Sequence, residues 1–150
     1  MFEQLQTHRL SPKNQLTLLR GDRGLHGVEK TNVVCALPHR MRMRDGSPLP
    51  VILLLTEDEL RLREERIRAR EDVDNLTKER RIALLNGHVR LLNVDGQRRI
   101  VLPPHFVRLL QLDREVFMFA SNTGVTIWRP EDWQRFSTDQ ADDDLDEIMI

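Results

Sequence analysis

Asp95, Arg98 and Arg99 lie in the stretch Leu92-Asn93-Val94-Asp95-Gly96-Gln97-Arg98-Arg99-Ile100-Val101-Leu102-Pro103-Pro104. Their types and spacing could serve anion binding and hold no catalytic constellation. A carboxylate four residues before an arginine can brace the guanidinium across a turn and fix its direction. A guanidinium held in this way offers a planar fork of donors to a phosphate or to the acceptor edge of guanine. On spacing alone, an ordinary solvated turn is the favoured reading of the two arginines, since surface arginines are common. Catalytic alternatives have less behind them. His8, His26, His39, His88 and His105 are scattered without metal-ligand spacing, and no glycine-rich loop sits at a strand–helix junction. Cys35 lies in an apolar run and reads as a core residue. Asp142-Asp143-Asp144 could hold a divalent cation, but an acidic tail is the simpler reading. The expectation is a protein without enzymatic activity, cofactor, metal or small-molecule substrate.

The flanking residues must position this turn. An apolar strand ends at Val94, and a second, Ile100 to Leu102, leaves the turn and is stopped by Pro103-Pro104. Pro104 suits the first turn of a helix running to about Leu112, where a missing N–H costs nothing. Glu115 to Ala120 and Gly124 to Trp128 read as a hairpin across Ser121-Asn122-Thr123. A helix follows from Pro130 to about Phe136.

The N-terminal half repeats this layout in weaker form. Residues 5–10 and 15–20 read as strands around Ser11-Pro12-Lys13-Asn14, and Leu10, Ser11, Gln15 and Leu16 align with Val94, Asp95, Arg99 and Ile100. Residues 21–50 are the least legible. Gly21, Gly24 and Gly27 punctuate a loop, and Thr31 to Leu37 is a plausible strand. His39-Arg40-Met41-Arg42-Met43-Arg44 alternates basic with apolar, as in a half-exposed strand with a charge-protected outer face that turns at Asp45-Gly46. Val51 to Leu55 is fully apolar and is expected to be buried. Thr56-x-x-Glu59 is a capping box for a helix from Glu57 to about Arg70. A second helix is expected from about Leu76 to Leu85, closed by Gly87. Leu55 and Leu60 stand to the first of these helices as Trp128 and Trp133 stand to the last. This second matching pair supports an internal duplication whose halves can bury their apolar faces against each other.

Asp95-x-x-x-Arg99 followed by Ile100-x-Leu102-Pro103-Pro104 resembles the second repeat of the MraZ family, bacterial transcription regulators of AbrB-like fold. The similarity continues through Glu115-Val116-Phe117-Met118-Phe119 and Val125-Thr126-Ile127-Trp128-Arg129-Pro130-Glu131-Asp132-Trp133, so that it spans residues 88–136. It implies a mainly β, α+β fold of two AbrB/MazE-like swapped-hairpin half-barrels (double-psi type) joined by helices. The expected division is an N-terminal repeat with its charged helix over 1–74, a C-terminal repeat over 75–136 and an acidic disordered tail over 137–150. The resemblance further implies contact with double-stranded DNA through the turns. Asp95 and Arg99 carry over directly, Gln97 shares their turn, and Arg98 stands where the family has Gly. In the first repeat Arg9, Lys13 and Gln15 form the weaker counterpart. There Ser11, Asn14 and Gln15 replace the expected Asp, Gly and Arg, and Leu19 the expected Pro. A glutamine amide can still bond a base edge but offers no charge. The implied protein is a ring-shaped homo-oligomer of eight or more subunits that represses division and cell-wall genes by occupying direct repeats. The rival expectation is a structural or protein-interaction ring that has lost DNA binding.

Composition is compatible with either. The charged share is 31%, the single cysteine excludes an internal disulfide, and no apolar run approaches a membrane span. Met1-Phe2-Glu3-Gln4 lacks a signal-peptide layout, so a cytoplasmic protein is expected, and the resemblance implies that it is nucleoid-associated. The net charge is −1, but six acids and no base follow Phe136; without them the rest of the chain stands at +5. A basic body suits a nucleic-acid partner.

Overall fold

A computed structural model describes residues 7–18, 31–121 and 124–139. In chain order the elements are β1 (Thr7–Arg9), β2 (Gln15–Thr17), β3 (Val33–Arg42), β4 (Pro48–Leu55), α1 (Glu57–Ala69), α2 (Asn75–His88), β5 (Arg90–Asn93), β6 (Arg99–Val101), α3 (Pro104–Leu110), β7 (Glu115–Ser121), β8 (Gly124–Trp128) and α4 (Pro130–Thr138). Six strands form one antiparallel sheet in the order β1-β7-β8-β4-β3-β5, and β2 pairs with β6 in a separate ribbon. The result is a mixed, strand-rich fold with four helices among the described residues.

The pairings run between the halves. β1 pairs with β7 through Arg9↔Glu115, and its counterpart β5 pairs with β3 through Asn93↔Val33, in equivalent register. β2 meets β6 about Leu16↔Ile100, and β4 meets β8 about Leu53↔Thr126. Each of these pairs joins equivalent positions of the two repeats, so a pseudo-twofold axis relates the halves. The apolar residues of both halves close one core. Leu10, Leu16 and Leu18 lie in it with their counterparts Val94, Ile100 and Leu102, beside Phe106 and Leu110 of α3. Burying side chains of this size stabilises by roughly 1.5–3 kcal/mol each. Neither half can obtain that alone, because each supplies only part of the sheet that encloses the core.

The helix caps follow the sequence closely. Thr56 Oγ1 accepts the Glu59 N–H at 3.1 Å, and Glu57, Asp58 and Glu59 occupy the positive end of α1. The reciprocal bond of the capping box is not formed; Glu59 Oε2 is instead buried without a partner. Leu55 and Leu60 pack together beside Cys35 and Leu53, and Trp128 and Trp133 meet at the start of α4 with ring centroids 5.1 Å apart. Both pairs flank a helix start as hydrophobic staples. Cys35 is fully buried, and burial together with the Glu57 charge raises its thiol pKa.

Three local expectations are corrected. The runs at 31–37 and 39–44 form one strand, β3, because β4 pairs with it continuously from Cys35↔Leu55 to Arg42↔Pro48. Gly87 does not close α2. The helix continues through it to His88, with Val89 as its cap. α4 extends two residues past Phe136, to Thr138. The glycine loop at 21–27 and the acidic run from Asp142 lie outside the described residues.

Candidate nucleic-acid interface

The two turns share a backbone. At the first, Ser11 N–H donates to Gln15 O (3.0 Å) and Asn14 N–H to Ser11 O (2.9 Å). At the second, Asp95 N–H donates to Arg99 O and Arg98 N–H to Asp95 O, both at 3.0 Å. Ser11 Oγ accepts the N–H groups of Lys13 (3.2 Å) and Gln15 (3.0 Å). Asp95 Oδ1 accepts those of Gln97 (2.9 Å) and Arg99 (2.8 Å). A hydroxyl and a carboxylate thus perform the same local task, bonding backbone two and four residues ahead.

Each turn places one residue in the left-handed region, Asn14 and Arg98, both at φ 62°. Asn tolerates that conformation, whereas Arg pays a steric penalty there. The conformation aims a carbonyl at the opposite half: Asn14 O accepts Leu102 N–H and Arg98 O accepts Leu18 N–H, each at 2.8 Å. The turns therefore also lock the ribbon, which accounts for the strained backbone at Arg98.

The side chains at the fourth position then differ. Asp95 Oδ2 accepts Arg99 Nε at 2.9 Å, so the expected brace is formed. Both groups remain partly exposed, and the pair serves orientation more than stability. The bond from Arg99 N–H, with further bonds from the Arg99 side chain and Gln97 N–H, holds the Asp95 carboxyl below its ordinary pKa. Gln15, at the equivalent place, has a hydroxyl four residues before it and no such brace. Leu16 and Ile100 point inward, so Gln15, Thr17, Arg99 and Val101 share the outer face of the β2–β6 ribbon. Arg99 sits opposite Thr17, and Gln15 opposite Val101.

The remaining predicted residues have separate placements. Lys13 and Gln97 are exposed at equivalent turn positions. Arg98 turns back onto the body, its Nη1 donating to Thr31 O at 2.8 Å. That contact had no sequence signal, since Thr31 is 67 positions away. Arg9 is exposed on β1 and lines a cleft of about 280 Å³ with Asp113, Glu115 and Glu131. Those acids set Arg9 in a mixed-charge surface rather than with the turn cations. Arg99 is thus aimed by a carboxylate of its own turn.

Residues 85–149 match the sequence model of a family described as "MraZ protein, putative antitoxin-like". The second half of the chain is MraZ-like. Two proteins named Transcriptional regulator MraZ align with it in part. The one from Ruegeria sp. is 32% identical over 65 residues, covering 43% of this chain and 39% of the relative. The one from Caldicellulosiruptor saccharolyticus is 38% identical over 48 residues, covering 32% and 34%. The matched segments span little more than a third of those relatives. Asp95, Gln97, Arg98 and Arg99 fall inside the MraZ match, while Arg9, Lys13 and Gln15 lie outside it. The braced arginine and the MraZ resemblance therefore belong to the same repeat. No helix among the described residues is long and apolar enough to cross a membrane.

Proposed function

We propose that this protein is a DNA-binding transcriptional regulator of MraZ type that reads duplex DNA through the outer face of the β2–β6 ribbon and its two turns. The observation that carries the reading is the Asp95–Arg99 pair: a guanidinium, oriented at 2.9 Å by a carboxylate, on an exposed face within the MraZ-matched repeat. Arg99 would supply the principal base-edge or phosphate contact, with Gln97, Lys13 and Gln15 around it and Arg9 at the periphery. Arg98 would act mainly by holding the turn. The exchange of strands between the halves supports a swapped-hairpin barrel completed within one chain. Action would be by occupancy of short direct repeats at division and cell-wall genes, without catalysis, in the cytoplasm and on the nucleoid.

A ring of subunits would give many such turns one high effective concentration. The connector helices suit the subunit contact: α1 and α2 contain no buried residue and expose Leu62, Leu76 and Leu84. Leu76→Glu should then lower the mass measured by light scattering, whereas Arg98→Ala/Arg99→Ala should leave it unchanged.

Anisotropy with DNA from upstream of the gene, titrated with salt, tests DNA binding. A steep loss of affinity with rising salt is expected, with weaker binding in Arg99→Ala. A second reading, an interaction ring without DNA recognition, is favoured by Ser11 and Gln15 in the first turn and by the tether of Arg98 to Thr31. Wild-type protein that forms rings but binds no duplex at low salt would establish that reading instead.

A further inference from the structure

The two β-hairpins that are equivalent by the pseudo-twofold differ in length. In the second half, β7 and β8 pair from Phe117↔Trp128 to Ser121↔Gly124 and close there. In the first half, β3 and β4 pass the corresponding pair, His39↔Val51, and continue through Arg40↔Pro50, Met41↔Leu49 and Arg42↔Pro48. Eleven residues, 40–50, stand where the second hairpin has two, 122 and 123. This arm has two unlike faces. Met41, Met43 and Leu49 pack onto the aromatic cluster of Trp128, Trp133 and Phe136. Arg40, Arg42 and Arg44 occupy the opposite face and are exposed.

Several features keep that face positive and fixed in place. Across the ladder from Arg40 and Arg42 stand Pro50 and Pro48, with no acid. Asp45, the acid of the turn, is engaged by Ser47 N–H (2.8 Å) and Ser47 Oγ (2.6 Å). Asp139 Oδ2 accepts the backbone N–H of Arg44 at 2.7 Å and pins the tip to the end of α4. Arg42 Nη1 bonds the Gly46 carbonyl (3.1 Å), and neither Arg40 nor Arg44 makes a side-chain ion pair among the described residues.

The register sets where the arm points. Thr7 is level with Phe117, Phe117 with Trp128 and, one step beyond Ile52↔Ile127, Trp128 with Val51, which pairs with His39. Along β1 from Thr7 the chain reaches the Ser11–Asn14 turn; along β3 from His39, in the same direction, it reaches the arginines. The comb therefore projects from the end of the sheet that carries the first turn, roughly four strand spacings, or about 19 Å, across it. The Asp95–Arg99 turn lies at the other end, beside the start of β3.

We propose that Arg40, Arg42 and Arg44 form a second DNA contact, to the sugar-phosphate backbone, at the end of the sheet where the first turn lacks a braced arginine. This rests on the DNA-binding reading above. Alternate residues of a strand are about 6.7 Å apart, so the comb spans about 13 Å. One strand of B-DNA presents a phosphate per about 3.4 Å of axis, enough for each guanidinium to find a partner. Such contacts add affinity and fix orientation without reading sequence.

Anisotropy titrations of the full chain on upstream DNA and on a scrambled duplex test this, using wild type, Arg40→Gln/Arg42→Gln/Arg44→Gln, the corresponding triple Lys variant and Arg99→Gln. The triple Gln variant should lose at least about tenfold in affinity on both duplexes and show a salt slope shallower by up to about 2.7 for three phosphates. The triple Lys variant, which keeps the charge, should retain most of the binding. Arg99→Gln should instead lose the preference for upstream DNA. Thermal melting checks that the Gln variant is folded, as expected from an untouched Met41–Met43 face. Wild-type affinity and salt slope in a folded triple Gln variant, while Arg99→Gln is impaired, would overturn the comb proposal alone. So would an effect that appears only after deletion of residues 140–150, since the chain's own acids would then occupy the comb. Wild-type protein that binds neither duplex would remove the DNA-binding reading itself.

Discussion

The Ser11–Gln15 and Asp95–Arg99 turns have the same backbone hydrogen bonds and a left-handed residue at the same position, yet they present different chemistry. Each carbonyl at the left-handed position holds a strand of the other half at 2.8 Å, so backbone shape serves the fold in both places. The first residue of the turn must accept two N–H groups, and a serine hydroxyl does so as well as a carboxylate. The function at the fourth position is more demanding. Only a carboxylate has a second oxygen left to orient a guanidinium, and the chain keeps the arginine only where it keeps the carboxylate. A turn can therefore lack the brace while its structural role persists.

The largest effect should appear where the two turns depend on each other. Leu16→Ala and Ile100→Ala each empty an equivalent position in the shared core, and each should cost about 2–5 kcal/mol. Urea unfolding should show a single transition for both variants, because the halves share one sheet. Separate transitions would mean that the halves fold independently.

Next in size is the difference at the fourth position. Arg99→Ala should weaken binding to upstream DNA by about 1–3 kcal/mol per contact, and Gln15→Ala by clearly less. If Gln15→Ala proved the more harmful, the recognition role would belong to the first turn. Ser11→Asp/Gln15→Arg should sharpen the same comparison in the other direction, raising affinity by installing a second brace on a backbone already suited to it.

A smaller effect concerns the strained residue. Arg98→Gly removes a left-handed penalty of about 1–2 kcal/mol but forfeits the side chain's bonding, that to Thr31 included, at about 0.5–1.5 kcal/mol per bond. Its melting midpoint should stay near wild type. Arg98→Val, branched at a left-handed position, should melt clearly lower. The smallest effect is on pH. The Asp95 carboxyl is depressed in the folded protein. Its contribution is present above the ordinary carboxylate value and is lost as pH falls through the depressed one. Amide and Nε resonances of Arg99 should titrate in that acidic range, whereas those of Gln15, bonded to a serine, should not follow Asp95.

Much of this was legible along the chain. The repeated turn, the Thr56 cap and the paired staples Leu55–Leu60 and Trp128–Trp133 are local patterns, and the Asp95–Arg99 brace needs only four residues of spacing. The chemistry of such features is contained in neighbouring side chains and the backbone between them. The tertiary structure decided what lies far apart in sequence. Period-two patterning says which side of a strand is buried but not which strand lies beside it, so the pairing of β1 with β7 and of β3 with β5 could not be read. Gly87 continues its helix although glycine more often ends one. Arg98 and Arg99, adjacent in sequence, part company because one bends to a carbonyl 67 positions away. The arginine alternation at 40–44 showed a strand with a basic face. Only the aromatic cluster beneath its other face, and the register that carries the strand past the sheet, made it a projecting arm.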